Sequence, residues 1–270
     1  MRIRVPASSA NLGPGFDALG LALSMPFDVS VGVADDDLLP ADEHHPLTVA
    51  YRRAGGSSPL WWRSPIPPGR GLGFSGSARV AGAFAGYLEA GCSEADARIR
   101  GLELAIELEQ HPDNAAASML GGAVASAGGH SVQIPLARPW QVVVWWPSTE
   151  TSTNASRAEL PATVPFDDAV FNVGRASLLV AALVSGDADA LGIATEDRLH
   201  TDQRLQRSPA SGVALDRLRA AGPVATWLSG SGPTVAALVE PGEGEALLAV
   251  LPAGGTARVL DIDNLGARVL

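Results

Sequence analysis

Not one lysine occurs in these 270 residues; all 19 basic side chains are arginines. That absence excludes a Walker A loop, whose lysine reaches the β- and γ-phosphates, and the lysine-dependent site of protein kinases. It also excludes Schiff-base chemistry and a lysine general base. Any phosphate handled here must be held by backbone N–H groups, arginine, hydroxyls and a metal ion. Cysteine is nearly absent as well. Cys92 alone permits neither an intrachain disulfide nor a cysteine-rich zinc site, and a reduced cytoplasmic location is expected. No run of about 18 uninterrupted apolar residues is present, so no membrane partner is expected. Met1 to Pro6 carries Arg2 and Arg4 with no apolar core behind them. It is expected to form a first strand, not a targeting peptide.

The net charge of −10 argues against nucleic-acid binding, which needs a cationic surface to displace counterions. A locally positive pocket for a small anionic substrate stays possible. Hydrophobic residues make up 46% of the chain, enough to bury a substantial core in one domain or two fused halves.

Periodicity orders the elements. Phe27 to Val33 alternates like a strand, Asp35 to Pro46 is acidic and turn-rich, and Leu47 to Ala54 suits a short helix. Leu60 to Arg63 is strand-like ahead of the Pro/Gly cluster Pro65 to Gly73. Helices are expected over Ser77 to Ala90 and, capped by Ser93, on to about Glu109. Gly121 to Ser126 reads as a strand, as does Trp140 to Trp146, a nearly unbroken apolar run of the buried kind. Phe171 to Ser185 and Ala210 to Ala221 are expected to be helical, with strands Ala225 to Ser229 and Thr234 to Val239 beyond them. This mixed order predicts an α+β fold with a boundary near 140–155.

Four clusters carry candidate chemistry. Pro6-Ala-Ser-Ser-Ala-Asn-Leu-Gly-Pro-Gly-Phe-Asp17 is either a plain glycine turn or a substrate loop, with Asn11 and Asp17 able to hold an amine or a hydroxyl. Pro67-Pro-Gly-Arg-Gly-Leu-Gly-Phe-Ser-Gly-Ser-Ala78 leads into a helix. Its glycines allow converging N–H groups and the helix start adds positive potential, which makes a phosphate cradle without lysine. Ser75 and Ser77 can add hydroxyls, although glycine turns before helices are also common. Glu107-Leu-Glu-Gln-His-Pro-Asp-Asn114 places Glu109, His111 and Asp113 at one helix end. That is enough for Mg2+, which takes one or two carboxylates plus phosphate oxygens, or equally for helix capping. Ser229-Gly-Ser-Gly-Pro-Thr234 is either a hairpin turn or a second glycine loop packed on the first.

In this order the clusters resemble the motif set of the GHMP kinases, the first and third in their homoserine kinase form. Thr153-Asn-Ala-Ser-Arg-Ala-Glu-Leu-Pro161 is similar to that family's T-x-x-A-R-x-x-L-P segment, with Ser156 for alanine. Phe171-Asn-Val-Gly-Arg-Ala176 resembles its F-N-x-G-R-A helix, and Asp197-Arg-Leu-His200 with Arg204 its D-R-L-H-x-x-x-R segment. The resemblance runs from Val5 to about Leu238.

It implies a two-part α+β GHMP-kinase fold. Residues 1–145 form an N-terminal ATP-binding half of ribosomal-protein-S5-like topology, and 146–270 a ferredoxin-like C-terminal half. It implies that Arg70, Gly71, Leu72, Gly73, Phe74, Ser75, Gly76 and Ser77 wrap the ATP phosphates. Ser75 and Glu109 then bind Mg2+, with Glu107 in reserve because Gln110 replaces the glycine of the family's E-G-H-P-D-N. Asn11, Asp17, His111 and Asp113 occupy substrate positions, and Arg157 and Arg204 match the two arginines that hold a carboxylate. A guanidinium fork suits that task. The reaction implied is transfer of the ATP γ-phosphate to the side-chain hydroxyl of L-homoserine, a step in threonine biosynthesis. Asp113, Ser75 and Glu109 are the catalytic set, and a homodimer fits the family's habit. Asp113, with an ordinary aspartate pKa, is expected to orient the hydroxyl and not to deprotonate it.

Two departures stand against the pattern. Phe74 replaces the first serine of G-L-G-S-S-A-A, and Gly76 and Ser77 replace its alanines. The stretch from Asp35 to Ser64 is also short where relatives shape an adenine pocket, and His45 stands about where they carry asparagine. A different small hydroxy acid as acceptor, or a non-catalytic ligand-binding relative, are the competing readings.

Overall fold

The first two strands show almost no alternation of buried and exposed residues, because both of their faces are covered. The computed structural model describes residues 1–34, 36–151 and 153–270, with the side chains of Thr153 and Asn154 left aside. Asp35, at the head of the acidic stretch, lies outside the described residues. Strands β1 (Arg2–Ala10) and β2 (Leu19–Val31) pair antiparallel at the centre of a seven-stranded sheet. Met1 to Pro6 is thus largely strand, as expected. The following elements are β3 (Leu39–Pro40), α1 (Pro46–Arg53), β4 (Leu60–Arg63), α2 (Phe74–Glu89), α3 (Glu94–Glu109), α4 (Pro112–Leu120), β5 (Ala123–Ala127) and β6 (His130–Ile134). The sheet runs β4 and β3 out from one side of β2, while β5 pairs with β2 and carries β6. Helices α2 and α4 lie against β1 and β2, and α1 and α3 pack on α2. Small residues make that close packing possible: Ala78, Ala81, Ala85, Ala115 and Ala116 are all fully buried. Ser93 caps α3 by accepting from Asp96 N at 3.1 Å, and Glu94 and Asp96 complement the positive helix start.

The chain changes sheet between β6 and β7 (Gln141–Pro147). A boundary at 145/146 therefore falls inside β7. There follow α5 (Thr153–Ala158), α6 (Phe166–Ser185), α7 (Ala188–Ala194), α8 (Thr201–Arg207), α9 (Pro209–Ala221), β8 (Ala225–Leu228), β9 (Val235–Val239), α10 (Gly244–Leu248) and β10 (Gly255–Asp261). Four strands form an antiparallel sheet in the order β10-β7-β9-β8. The unbroken run in β7 now has its reason. Val142, Val144 and Trp146 enter the main core, while Val143 and Trp145 enter a second core with Leu215 and Leu218 of α9 and Leu247 of α10. The final strand β11 (Arg268–Val269) returns to pair with β1.

Helix α6 starts at Phe166, five residues ahead of the expected Phe171. Its first turn is exposed, Phe166 by 82%, so no amphipathic period marks it in the sequence. Among the described helices, α6 is long and apolar enough to cross a membrane by length and composition. Asp167 and Asp168 sit in its first turn, and Leu179, Ala182 and Leu183 pack into the main core. The elements β3, β6, α5, α7, α8, α10, β10 and β11 carry too little periodicity to be read from sequence.

Candidate active site between two glycine loops

The loop ahead of α2 is held in shape by contacts that only glycine allows. Gly73, the N-cap of α2, has φ 71°, and a Cβ there would lie 2.0 Å from Ser8 Oγ. Gly71 has φ 74°, and its Cβ would meet Ser229 O at 2.3 Å and Gly232 O at 2.9 Å. The two glycine loops therefore interlock. Ser229 Oγ donates to Gly71 O at 2.6 Å, and both Thr234 N and Thr234 Oγ1 donate to Arg70 O. Segment 229–234 is thus both the β8–β9 turn and a second loop packed on the first. At the start of α2 the N–H groups of Phe74, Ser75 and Gly76 have no intrahelical acceptor, and the helix dipole adds positive potential there. A lysine-free anion cradle results.

Not every residue expected in that cradle reaches it. Arg70, Gly71, Gly73, Phe74 and Ser75 line a cavity of about 280 Å3. Leu72 instead lies in the core. Ser77 is fully buried and spends its hydroxyl on Pro6 O at 2.9 Å and Gly73 O at 3.0 Å, so it is not available to phosphate or metal. Gly76 is buried beneath Asn114, which limits its contribution to the backbone.

Ser75 and Glu109 come together from α2 and the end of α3. Ser75 Oγ donates to Glu109 Oε1 at 2.7 Å and Oε2 at 2.8 Å. Arg79, one turn along α2, closes on the same pair. Its Nη1 donates to Ser75 Oγ at 3.2 Å and forms an ion pair with Glu109 Oε2. Burial lowers the Arg79 pKa from its ordinary value. Sequence reasoning missed this arginine; its four-residue spacing from Ser75, which puts both on one helix face, was the available signal. Glu107 points elsewhere and pairs with Arg53 at 2.8 Å on the surface. Among the described residues no cluster of three or more His, Cys, Asp or Glu is placed to hold a metal.

The other end of the cavity is built from the first and third motifs and α8. Asp17 is bound by Arg157 in a two-pronged ion pair and lies 3.5 Å from His111 Nδ1. Burial would raise the Asp17 pKa, but hydrogen bonds from His111 and Arg157 and the arginine charge outweigh it and bring it to about 2. Arg204 is 6% exposed and donates to Gly230 O at 2.9 Å and His200 Nδ1 at 3.3 Å. His200 must then carry its proton on Nε2, where it donates to Gly13 O at 2.9 Å. Arg204 Nε is buried without an acceptor among the described residues, and the residue lines the cavity. Such an orphaned donor is costly unless a ligand completes it. The ring of Phe16 lies beneath both guanidinium groups, 5.3 Å from Arg157 Cζ and 5.1 Å from Arg204 Cζ.

Asn11 lines the cavity, and its amide ties its own loop to segment 229–234. It donates to Gly230 O at 3.1 Å and accepts from Asp17 N at 3.1 Å. Asp113 overturns the expectation of an ordinary aspartate pKa. It is 1% exposed, and burial raises its pKa to about 6, helped by the charge of Asp17 and opposed by the hydrogen bond from Asn114 N. Both Asn114 donors go to Oδ1, at 2.8 and 3.2 Å, which leaves Oδ2 with no hydrogen bond from Asn114.

The sequence and the fold have parallels among known proteins. The model of the GHMP kinases N terminal domain matches residues 48–122, and that of the GHMP kinases C terminal domain matches 179–257. The homoserine kinase of Streptomyces avermitilis is 41% identical over 295 aligned positions, which cover 100% of this chain and 95% of that one. The chain belongs to the GHMP kinases. The homoserine kinase of Thermus thermophilus is 39% identical, with 93% of this chain and 91% of the relative covered. The crystal structure of the Cytophaga hutchinsonii homoserine kinase superposes with a TM-score of 0.85 at 24% identity, covering 100% and 97% of the two chains. As a GHMP kinase the protein is an ATP-dependent phosphotransferase acting on a hydroxyl group.

Phe74 and His45, which stand at the two departures from the GHMP-kinase pattern, both have partners in the fold. Phe74 turns its ring edge-on to Phe27 at 5.7 Å and Trp62 at 5.6 Å, with His45 at 6.0 Å. His45 caps α1, its Nδ1 accepting from Leu47 N at 3.2 Å. Gln110 ends α3 with φ 61° and ψ 11°, the left-handed conformation that a glycine adopts without strain.

Proposed function

We propose that this kinase transfers the γ-phosphoryl group of ATP to the side-chain hydroxyl of L-homoserine. The single observation that carries the reading is the Asp17–Arg157 pair beside the orphaned Arg204 Nε. These groups are complementary to an amino acid's two charges. A substrate carboxylate takes Arg157 and Arg204, its ammonium takes Asp17, and the internal ion pair opens to receive them. The names of the relatives support the same acceptor.

Asp113 lies on α4 facing the cavity, where a short hydroxylated side chain would bring its oxygen. With a pKa of about 6 it is mostly ionised at neutral pH and a better proton acceptor than an ordinary aspartate. It accepts the hydroxyl proton as the substrate oxygen bonds to the γ-phosphorus and the bond to the bridging oxygen breaks, releasing ADP. The N–H groups opening α2 hold the phosphates in line.

Ser75 and Glu109 offer a hydroxyl and a carboxylate within 2.7–2.8 Å of each other. Hard oxygen donors of that kind fit Mg2+, which keeps its other positions for water and phosphate. Held there, Mg2+ would supply charge neutralisation to the phosphate oxygens. The test is direct: the protein is incubated with ATP, Mg2+ and L-homoserine and followed by 31P NMR. A new phosphomonoester on homoserine is expected. ATP binding without that product contradicts the proposal.

A further inference from the structure

Arg79 has a role that the motifs do not assign. Its guanidinium reaches both Ser75 Oγ and Glu109 Oε2, the two groups proposed above as metal ligands. Glu109 is well covered, with its side chain 10% exposed against 26% for Arg79. Inside that partly dry corner a lone carboxylate would be costly, and the arginine neutralises it. Arginine cannot shed its proton to make way for a second cation. A divalent ion on Ser75 and Glu109 and a guanidinium within hydrogen-bond reach of the same oxygens repel strongly at low dielectric.

The other arginines around the cavity hold different partners. Arg157 is paired with Asp17, Arg70 lies 3.3 Å from Glu150, and Arg204 is held by Gly230 O and His200. Arg79 is therefore the cation that a metal must displace. The direction it can be displaced in is also set. Ser75 and Glu109 line the cavity beside the amides that open α2, so nucleotide phosphate would lie next to the leaving guanidinium and accept its fork.

We propose that Arg79 is a stand-in cation that occupies the Ser75–Glu109 pair until nucleotide arrives and then moves onto a phosphate oxygen, coupling metal binding to nucleotide binding. This rests on the reading of Ser75 and Glu109 as metal ligands. Without nucleotide the site binds a divalent ion poorly, because Arg79 has nowhere to go. With nucleotide the same ion enters readily. Linkage makes the effect reciprocal, so the metal must tighten nucleotide by the same factor.

The test uses Mn2+ as an electron-paramagnetic probe, titrated into the full chain with and without a non-hydrolysable ATP analogue. Arg79→Met removes the charge and keeps the length, and Arg79→Lys restores a positive charge. Wild type and Arg79→Lys are expected to bind Mn2+ weakly alone. Arg79→Met is expected to bind it at least about tenfold more tightly alone, with the gain from nucleotide reduced by a similar factor. If Arg79→Met binds nucleotide-free Mn2+ no better than wild type, the proposal is overturned. A drop in melting temperature without that gain means that Arg79 only joins α2 to α3, and overturns it equally. Glu109→Gln separates the two layers. If it leaves Mn2+ affinity of the analogue complex unchanged, the metal assignment itself fails and this proposal fails with it.

Discussion

Arg157 closes on Asp17 across 140 positions of sequence, binding α5 of the second half to the segment between β1 and β2. The pair places a positive and a negative group side by side at the end of the cavity proposed to take the substrate. Arg204 adds a second positive group from beneath, with Phe16 under both.

Arg157→Ala and Arg204→Ala are each expected to raise KM for L-homoserine about ten- to hundredfold, while ATP affinity changes little. A charged hydrogen bond to a carboxylate contributes about 1.5–3 kcal/mol. The two variants differ in stability. Arg157 is 44% exposed at its side chain, so its loss leaves the melting temperature close to wild type. Arg204 is buried against Gly230 O and His200, and its loss lowers the melting temperature. Unchanged KM in either variant refutes the clamp.

Asp113 makes a prediction about pH with a definite sign. Folding raises its pKa from 3.8 to about 6, so the folded state binds this proton more tightly than the unfolded chain. The stability due to the protonated form is full below about pH 4 and is lost as pH rises through about 6. Asp113→Asn is therefore expected to melt higher than wild type at pH 8 and to match it near pH 4. In kinetics, kcat/KM of wild type is expected to fall on the acid side with an apparent pKa near 6. The variant is expected to lose that limb, with kcat lowered by about 100-fold or more. A wild-type acid limb near pH 4 contradicts the assignment.

The limits of the sequence are visible at particular residues. The glycine loop, the HPDN turn and the two arginines proposed to hold a carboxylate are readable because each lies in a short contiguous motif with restrictive residue types. Asp113 carries no local mark of being 1% exposed; its burial comes from sheet, helix and loop closing around it. Ser77 reads as one more hydroxyl open to phosphate until the first turn of α2 directs it toward Pro6 O. Arg79 looks like a surface residue on an alanine-rich helix, because its partner Glu109 lies 30 positions away. The two-sheet order is likewise illegible at β10, where one residue of seven is buried, and at β11, which is two residues long.

Phe74→Ser tests whether the ring or the backbone makes the cradle. Turnover is expected to stay within about tenfold of wild type, a barrier change of about 1.4 kcal/mol. The melting temperature is expected to fall, because the contacts with Phe27 and Trp62 are lost. Ser75→Ala is expected to cost turnover far more while changing stability less. Restored nucleotide binding in Phe74→Ser, absent from wild type, contradicts this account and favours a ligand-binding relative.

Gln110→Gly is expected to stabilise the fold by about 0.5–1 kcal/mol in denaturant titration. A left-handed non-glycine residue costs about 1–2 kcal/mol, and glycine gives back roughly half of that gain through its freedom in the unfolded chain. Gln110 holds φ 61°, a backbone conformation that glycine adopts without a Cβ clash. A destabilised variant means that the Gln110 side chain holds something beyond the turn.

On the proposed reading, this cavity phosphorylates an amino acid recognised by both of its charges. The most direct measurement is coupled ADP release with Mg·ATP over a panel of hydroxy compounds: L-homoserine, L-threonine, L-serine, D-homoserine and 4-hydroxybutyrate, which lacks the amine. The expected result is turnover highest for L-homoserine, lower kcat/KM for the other amino acids, and at least about tenfold lower kcat/KM for 4-hydroxybutyrate, because Asp17 is then left unpaired. Equal turnover of 4-hydroxybutyrate, or no ADP release with L-homoserine, would contradict the account.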